Sequence, residues 1–308
     1  MTTSQVDLDT ATVSRTLRID APPSLVWAVL TSPDQIAQWF GQSATFPDGV
    51  HAGATGTFGW TDAGDHPVRV DVHEPPHRFA FTWGTPGEEL RPDNATTATF
   101  TLTPDGDGTQ LTVVETGFDT LRGDVAAHRA AMADHAEGWE RELDELVAHV
   151  TTLRRGGGAV ADLDAGTITR TVLVGADRPT VWRALTTPAA IEAWWGHPAS
   201  FPDGVRPGSL GTFELVGHGL FPVLLERVEE PSLFTFTWGD LGETEPGPRS
   251  THVRFDLVEA GEATLVTVVE SGFDRTPAAE RRAAMEQNTG GWDAVLDALV
   301  AHVEGRAR

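Results

Sequence analysis

The sequence predicts an α+β protein built from one domain used twice, each copy running strand, two short helices, five strands and a long C-terminal helix. Three observations carry this. The chain repeats itself over half its length. Each copy holds a run of short alternating segments broken by Gly, Pro, Asp and His. Each copy ends in a long stretch with apolar residues at helical spacing.

The repeat sets the domain count. Shifting the 308 residues by 155 positions aligns Ser14–Trp60 with Thr169–Leu215 without a gap, and 21 of 47 pairs are identical. The same shift pairs Phe81-Thr82-Trp83-Gly84 with Phe236-Thr237-Trp238-Gly239, and Glu115-Thr116-Gly117-Phe118 with Glu270-Ser271-Gly272-Phe273. Toward the end the shift becomes 153, matching Gly138-Trp139 to Gly291-Trp292 and Leu146–Val150 to Leu299–Val303. So long a period marks two whole domains. The expected division is residues 1–155, a Gly-rich linker over 156–166, and residues 167–308.

The elements follow in order, described for copy one. Val13–Ile19 reads as a strand. Pro22-Pro23-Ser24 starts a short helix over Leu25–Leu30, with Ser24 as candidate cap. Ser32-Pro33 opens a second helix through Trp39, Ser32 capping and Pro33 suiting the first turn. Phe46-Pro47-Asp48-Gly49 is a turn. Strands are expected near 55–60, 67–73, 78–83, 95–103 and 109–116. The last helix, about 121–153, carries Leu121, Val125, His128, Met132, His135, Trp139, Leu143, Leu146 and Val150 on one stripe.

Composition excludes several functions. Cysteine, tyrosine and lysine are absent, so all 22 positive charges are arginine, against 45 carboxylates and a net charge of -23. An acidic chain is a poor binder of nucleic acid or anionic membranes. The charge splits evenly, -13 over residues 1–155 and -10 beyond, as a solvated surface would. Without thiols or amines there is no zinc-thiolate site, thiol nucleophile or Schiff-base chemistry. No signal peptide or membrane span is expected, which fits a cytoplasmic protein. His73 and His77 flank two prolines that forbid a helical HExxH motif, and no phosphate or dinucleotide fingerprint is present. Neither metal nor cofactor is expected.

The element order, together with Val26-Trp27, Trp39-Phe40, Phe79–Trp83, Glu115–Phe118 and Gly138-Trp139 and their counterparts in copy two, resembles the START-like (SRPBCC) helix-grip superfamily. The closer resemblance is to the branch of the activator of heat-shock-protein-90 ATPase. It implies two tandem β-α-α-β-β-β-β-β-α domains, each a curved antiparallel sheet gripping the long helix around a cavity.

Strand alternation turns Phe81, Trp83 and Phe100 toward that helix, and likewise Phe236, Trp238 and Phe255. With Trp39, Phe58, Met132 and Trp139, and with Trp194, Phe213, Met285 and Trp292, they form the candidate pocket lining. Simple core packing accounts for each residue equally. Glu115 alternates with Leu111 and Val113, and Glu270 with Val266 and Val268, so both carboxylates belong to the inward face. A buried carboxylate needs partners. His135 and Asn288, at matching helix positions, are the expected ones; a solvent-facing strand end is the alternative.

Three functions stay open. The favoured one is binding of a small hydrophobic ligand in one or both cavities. A co-chaperone-like interaction module is the second, although the eukaryotic activator's separate N-terminal domain has no counterpart here. A cyclase or hydratase is the third, lacking a clear acid and base. The resemblance also raises a pseudo-dimer of the two domains.

Overall fold

The computed structural model describes residues 3–305 and divides the chain after Arg154. In copy one the strands are β1 (Gln5–Asp7), β2 (Thr12–Ile19), β3 (Ser43–Thr45), β4 (Thr55–Trp60), β5 (Gly64–Glu74), β6 (Arg78–Gly84), β7 (Ala95–Asp105) and β8 (Gly108–Thr116). The helices are α1 (Pro23–Thr31), α2 (Pro33–Ile36) and α3 (Val125–Arg155). Copy two follows the same plan. Its strands are β9 (Val160–Asp162), β10 (Thr167–Val174), β11 (Ala199–Ser200), β12 (Leu210–Leu215), β13 (Gly219–Glu229), β14 (Leu233–Trp238), β15 (Thr251–Ala260) and β16 (Ala263–Ser271). Its helices are α4 (Arg178–Thr186), α5 (Pro188–Trp195) and α6 (Ala278–Val303).

Each copy is a helix grip. Its antiparallel sheet has the order β1-β2-β8-β7-β6-β5-β4-β3, and copy two repeats it as β9-β10-β16-β15-β14-β13-β12-β11. A register shift falls between Val70 and Val72, and again between Leu225 and Arg227. An extra residue at that point bends the strand and increases its twist, which helps the sheet curve around a helix. Tryptophan, phenylalanine and branched residues from the inner face meet the helix stripe to form each core.

A buried arginine ties helix to sheet. Arg15 on β2 is 3% exposed; it donates to the carbonyls of Trp139 (3.0 Å) and Glu140 (2.7 Å) and pairs with Asp144. Arg170 on β10 repeats this with the carbonyls of Trp292 and Asp293 and the carboxylate of Asp297. Its guanidinium fork holds several acceptors at once. Each clamp grips the helix beside the tryptophan that faces the site.

Several local expectations are corrected. Ser24 is not a cap: Pro23 takes the first helical position, Pro22 precedes it, and no side chain caps the end. Ser32 stands at the N-cap of α2 but makes no side-chain cap bond, and α2 ends at Ile36, short of Trp39. In copy two, by contrast, Asp177 accepts from the Thr180 amide. The long helix begins at Val125, not 121, because Gly117 (φ +96°) turns the chain into a 3₁₀ segment at Phe118–Thr120. Asp124 caps α3 by accepting from the Ala127 amide at 2.9 Å, and Val125 is exposed. The 156–166 segment is not all linker, since β9 pairs with the start of β10. Its twin β1 and the short β3 and β11 were too brief to show alternation. The Phe46–Gly49 turn forms as expected, with Gly49 at φ +79°. Among the described residues no helix is long and apolar enough to cross a membrane.

Arg15→Ala should lower copy one's stability by about 2–4 kcal/mol, since it frees buried carbonyls and a carboxylate together. Urea denaturation of the full chain checks it; a loss within about 0.5 kcal/mol would show that the clamp is dispensable.

Candidate functional site

The site of copy two is built where β14, β15, β16 and α6 converge. Trp238 on β14 pairs across to Thr251 on β15, and Val253 pairs across to Glu270 on β16. This register brings Thr251 beside the Glu270 carboxylate. Thr251 Oγ1 donates to Glu270 Oε1 at 2.6 Å, Trp292 Nε1 donates to Oε2 at 2.7 Å, and Asn288 Nδ2 reaches both oxygens at 3.0 and 3.1 Å. Glu270 is 3% exposed. Burial, the largest influence, pushes its carboxyl above the ordinary value, against the lowering bonds from Thr251, Trp292 and Asn288.

A cavity of about 940 Å³ opens beside this carboxyl. Trp194, Trp195, Phe213, Phe236, Trp238, Phe255 and Trp292 line it, with Leu215 and Phe221 from the hairpin of β12 and β13. Trp195 leans on Trp194, nearly parallel at 21°, and meets Phe213 and Trp238 edge-on. Trp238 packs on Phe213 and Phe236, against the sheet. Gly291 adds to the space: a Cβ there would meet nothing within 4 Å.

Copy one uses the same frame and closes it differently. Thr96 donates to Glu115 at 2.6 Å, Trp139 at 2.7 Å and Trp83 at 2.9 Å, and His135 Nδ1 lies 3.0 Å from both oxygens. Glu115 is fully buried. Phe40, at the position of Trp195, stacks on Trp139 at 5.5 Å and 9°. It also touches Phe58, Trp60, Phe81 and Trp83. Trp195 and Trp292 both line the cavity in copy two, so the gap lies where copy one has the Phe40–Trp139 contact.

The electrostatics differ as well. Burial pushes Glu115 up, but the bond and charge of His135, with the bonds from Thr96 and Trp139, outweigh it, and the carboxyl lies below its ordinary value. Burial by itself would lower His135; the bond and charge of Glu115 raise it instead. This is a buried ion pair. Copy two has a neutral amide, Asn288, in place of the histidine. A second polar pair is also exchanged: Glu142, buried on α3, is bonded by Trp60, and the matching residues are Val295 and Leu215.

The family profile described as "Activator of Hsp90 ATPase homolog 1-like protein" matches residues 20–151 and again 176–304. The chain belongs to this family. No curated protein matches the sequence. Among solved structures, the di-domain ARO/CYC BexL from the BE-7585A biosynthetic pathway is 14% identical over 96% of this chain and 99% of its own, with a TM-score of 0.43. DynU16, a putative protein in the dynemicin biosynthetic locus, is 20% identical over 95% and 99%, TM-score 0.36. A protein from Arthrobacter aurescens is 21% identical over 48% of this chain and 91% of its own, TM-score 0.41. Likenesses this distant say nothing of activity.

Within this pair of AHSA1-like domains the structure joins most of the residues expected at the sites. Glu115 meets His135, Trp83 and Trp139; Glu270 meets Asn288 and Trp292. Trp194, Phe213, Phe236, Trp238 and Phe255 line the cavity. Phe58, Phe81, Phe100 and Met132 are buried in copy one's packed core. Trp39 also belongs to that core, its indole N–H reaching the Val29 carbonyl at 3.4 Å and tying α2 to α1. Met285 is a correction: it is fully buried in the core of copy two and is absent from the cavity lining, to which this part of α6 contributes Ala284, Gln287 and Asn288. The expectation missed Thr96 and Thr251, each inward at a matched position two before Ala98 and Val253. It also left out Phe40, Trp195, Leu215, Phe221 and Ser250 from the lining; the differences between copies at these positions were the available signal.

The ion pair predicts a pH dependence confined to copy one. The folded chain holds the His135 proton more tightly than the unfolded chain does. Its stabilisation is complete below about pH 6.5 and lost as pH rises through the raised value. Glu115 contributes above about pH 4.3 and loses this as pH falls through its depressed value. Urea midpoints should therefore fall for the native chain as pH rises above 6.5. His135→Asn should remove that component, and an identical slope in the variant would contradict the pairing.

Proposed function

We propose that copy two binds an apolar or aromatic small molecule between its sheet and α6. The cavity beside Glu270 carries this reading. Its volume of about 940 Å³ lies within the range of sites that enclose small ligands, and its wall is aromatic with a few convergent polar groups. Flat rings such as Trp195, Trp238 and Trp292 offer large contact area and faces that stack on aromatic ligands. Phe221, Leu215 and Val295 replace the His66, Trp60 and Glu142 of copy one, so the lining has shed polarity on the side facing solvent.

Copy one has a different part in this reading. Phe40 stands on Trp139 where a ligand ring would lie, and the indole of Trp83 is bonded to Glu115. We take copy one as the closed partner that keeps the fold without an occupant. The favoured expectation of one or both cavities thus narrows to one.

A thermal-shift screen of the full chain with naphthalene and anthracene derivatives tests this. A ligand at a hundred times its Kd adds about 2.7 kcal/mol, enough to raise a Tm by several degrees. Ala284→Phe, which places a ring in the cavity, should fold and lose the shift. A panel that leaves the Tm unmoved, with no small molecule carried through native mass spectrometry, would overturn the proposal.

A further inference from the structure

The two copies hold their buried carboxylates with matched donors, Asn288 standing for His135, and one further difference defines a ligand group. In copy one, Oε1 of Glu115 accepts from Thr96 and from Trp83 Nε1. In copy two, Thr251 keeps its place on Oε1 of Glu270, while Trp238, the counterpart of Trp83, makes no bond to it among the described residues. The backbone does not explain this, because Trp83 faces Thr96 and Trp238 faces Thr251 in the same register. The surroundings of the ring differ: Trp83 packs on Phe40, Trp60, His66 and His135, whereas Trp238 packs on Trp195 and Phe221 and also on Phe213 and Phe236.

Trp238 Nε1 thus lacks the acceptor that Trp83 has, and Oε1 of Glu270, held by Thr251 and Asn288, has one donor fewer than Oε1 of Glu115, which takes Thr96, Trp83 and His135; Trp238 and Glu270 both line the cavity. Ser250 adds to the imbalance. It is 3% exposed, lines the cavity, and its Oγ is buried with no hydrogen-bond partner among the described residues. Its counterpart in copy one is Ala95. A buried hydroxyl left unpaired costs free energy, so its presence only in the open copy points to a partner that arrives with the ligand.

We propose that the ligand of copy two carries a hydroxyl on an aromatic or apolar body, and that this hydroxyl bridges Trp238 Nε1 and Glu270 Oε1. This rests on the binding reading above. A hydroxyl is the small group that fits both sides: its oxygen accepts from the indole while its proton goes to the carboxylate. When Glu270 is protonated, the same oxygen accepts from the acid as well. A carbonyl can only accept and would fit the protonated acid alone. Ser250 supplies a further group on the same wall for a second polar atom of the ligand.

Two matched probes test the bridge by titration calorimetry on the full chain: 2-naphthol and 2-methylnaphthalene, alike in shape but differing in the hydroxyl. The native protein should bind 2-naphthol about tenfold more tightly, or more, the worth of one hydrogen bond to a charged group. Trp238→Phe should erase most of that preference, read as the ratio of the two affinities, so that any loss of ring contact, which both probes share, cancels. Glu270→Gln, which keeps an acceptor but loses the charge, should reduce the preference by a smaller factor. Equal binding of both probes by the native chain, or a preference that survives Trp238→Phe, would overturn the bridge and leave the cavity reading standing. Failure of both probes to bind would overturn both.

Discussion

Each domain is organised around a buried carboxylate. The last strand of each sheet delivers a glutamate under the long helix, and a charge in that place is costly unless donors surround it. Strand register brings a threonine; the helix brings an indole N–H and one more polar side chain. These demands fix the rotation of the helix, because Trp139 or Trp292 must point at the carboxylate while its own carbonyl accepts from the buried arginine of β2 or β10. Sheet, helix and clamp are thus locked through one residue in each copy.

Duplication allowed the two carboxylates to diverge. In copy one His135 bonds the carboxylate, two indoles donate, and Phe40 stacks on Trp139. In copy two Asn288 stands for the histidine, Trp238 packs on Phe213, Phe236 and Trp195, and the Phe40 position holds a larger ring that leans on Trp194. None of these changes alters the fold, since the threonine and the helix tryptophan still hold the acid. They alter only what lies beside it. Copy two has a cavity where copy one has a ring contact, and burial holds its carboxyl above the ordinary value where His135 holds that of copy one below it.

Much of this was legible in the sequence, and for definite reasons. The repeat gave domain number, and strand alternation placed Glu115 and Glu270 inward because the side-chain period is two. Helical spacing placed His135 and Asn288 opposite them. What alternation could not supply was ring direction. Trp83 and Trp238 occupy the same register, yet only Trp83 bonds its carboxylate among the described residues, and the residues packed on the two rings differ at positions 40, 60 and 66 and their counterparts. Three-residue strands were also invisible, since β1 and β3 are too short to show a period. Asp124 was overlooked as a cap because the apolar stripe runs on past it to Leu121.

The indole N–H resonances of the ten tryptophans offer the most direct test of the central claim, that copy two is open to a ligand and copy one is filled by its own side chains. In a ¹⁵N-correlated NMR titration of the full chain with 2-naphthol, the signals of Trp238 and Trp292 should move, while those of Trp83 and Trp139 stay where they are. Movement of the Trp83 and Trp139 signals instead, or equal movement in both copies, would contradict the account.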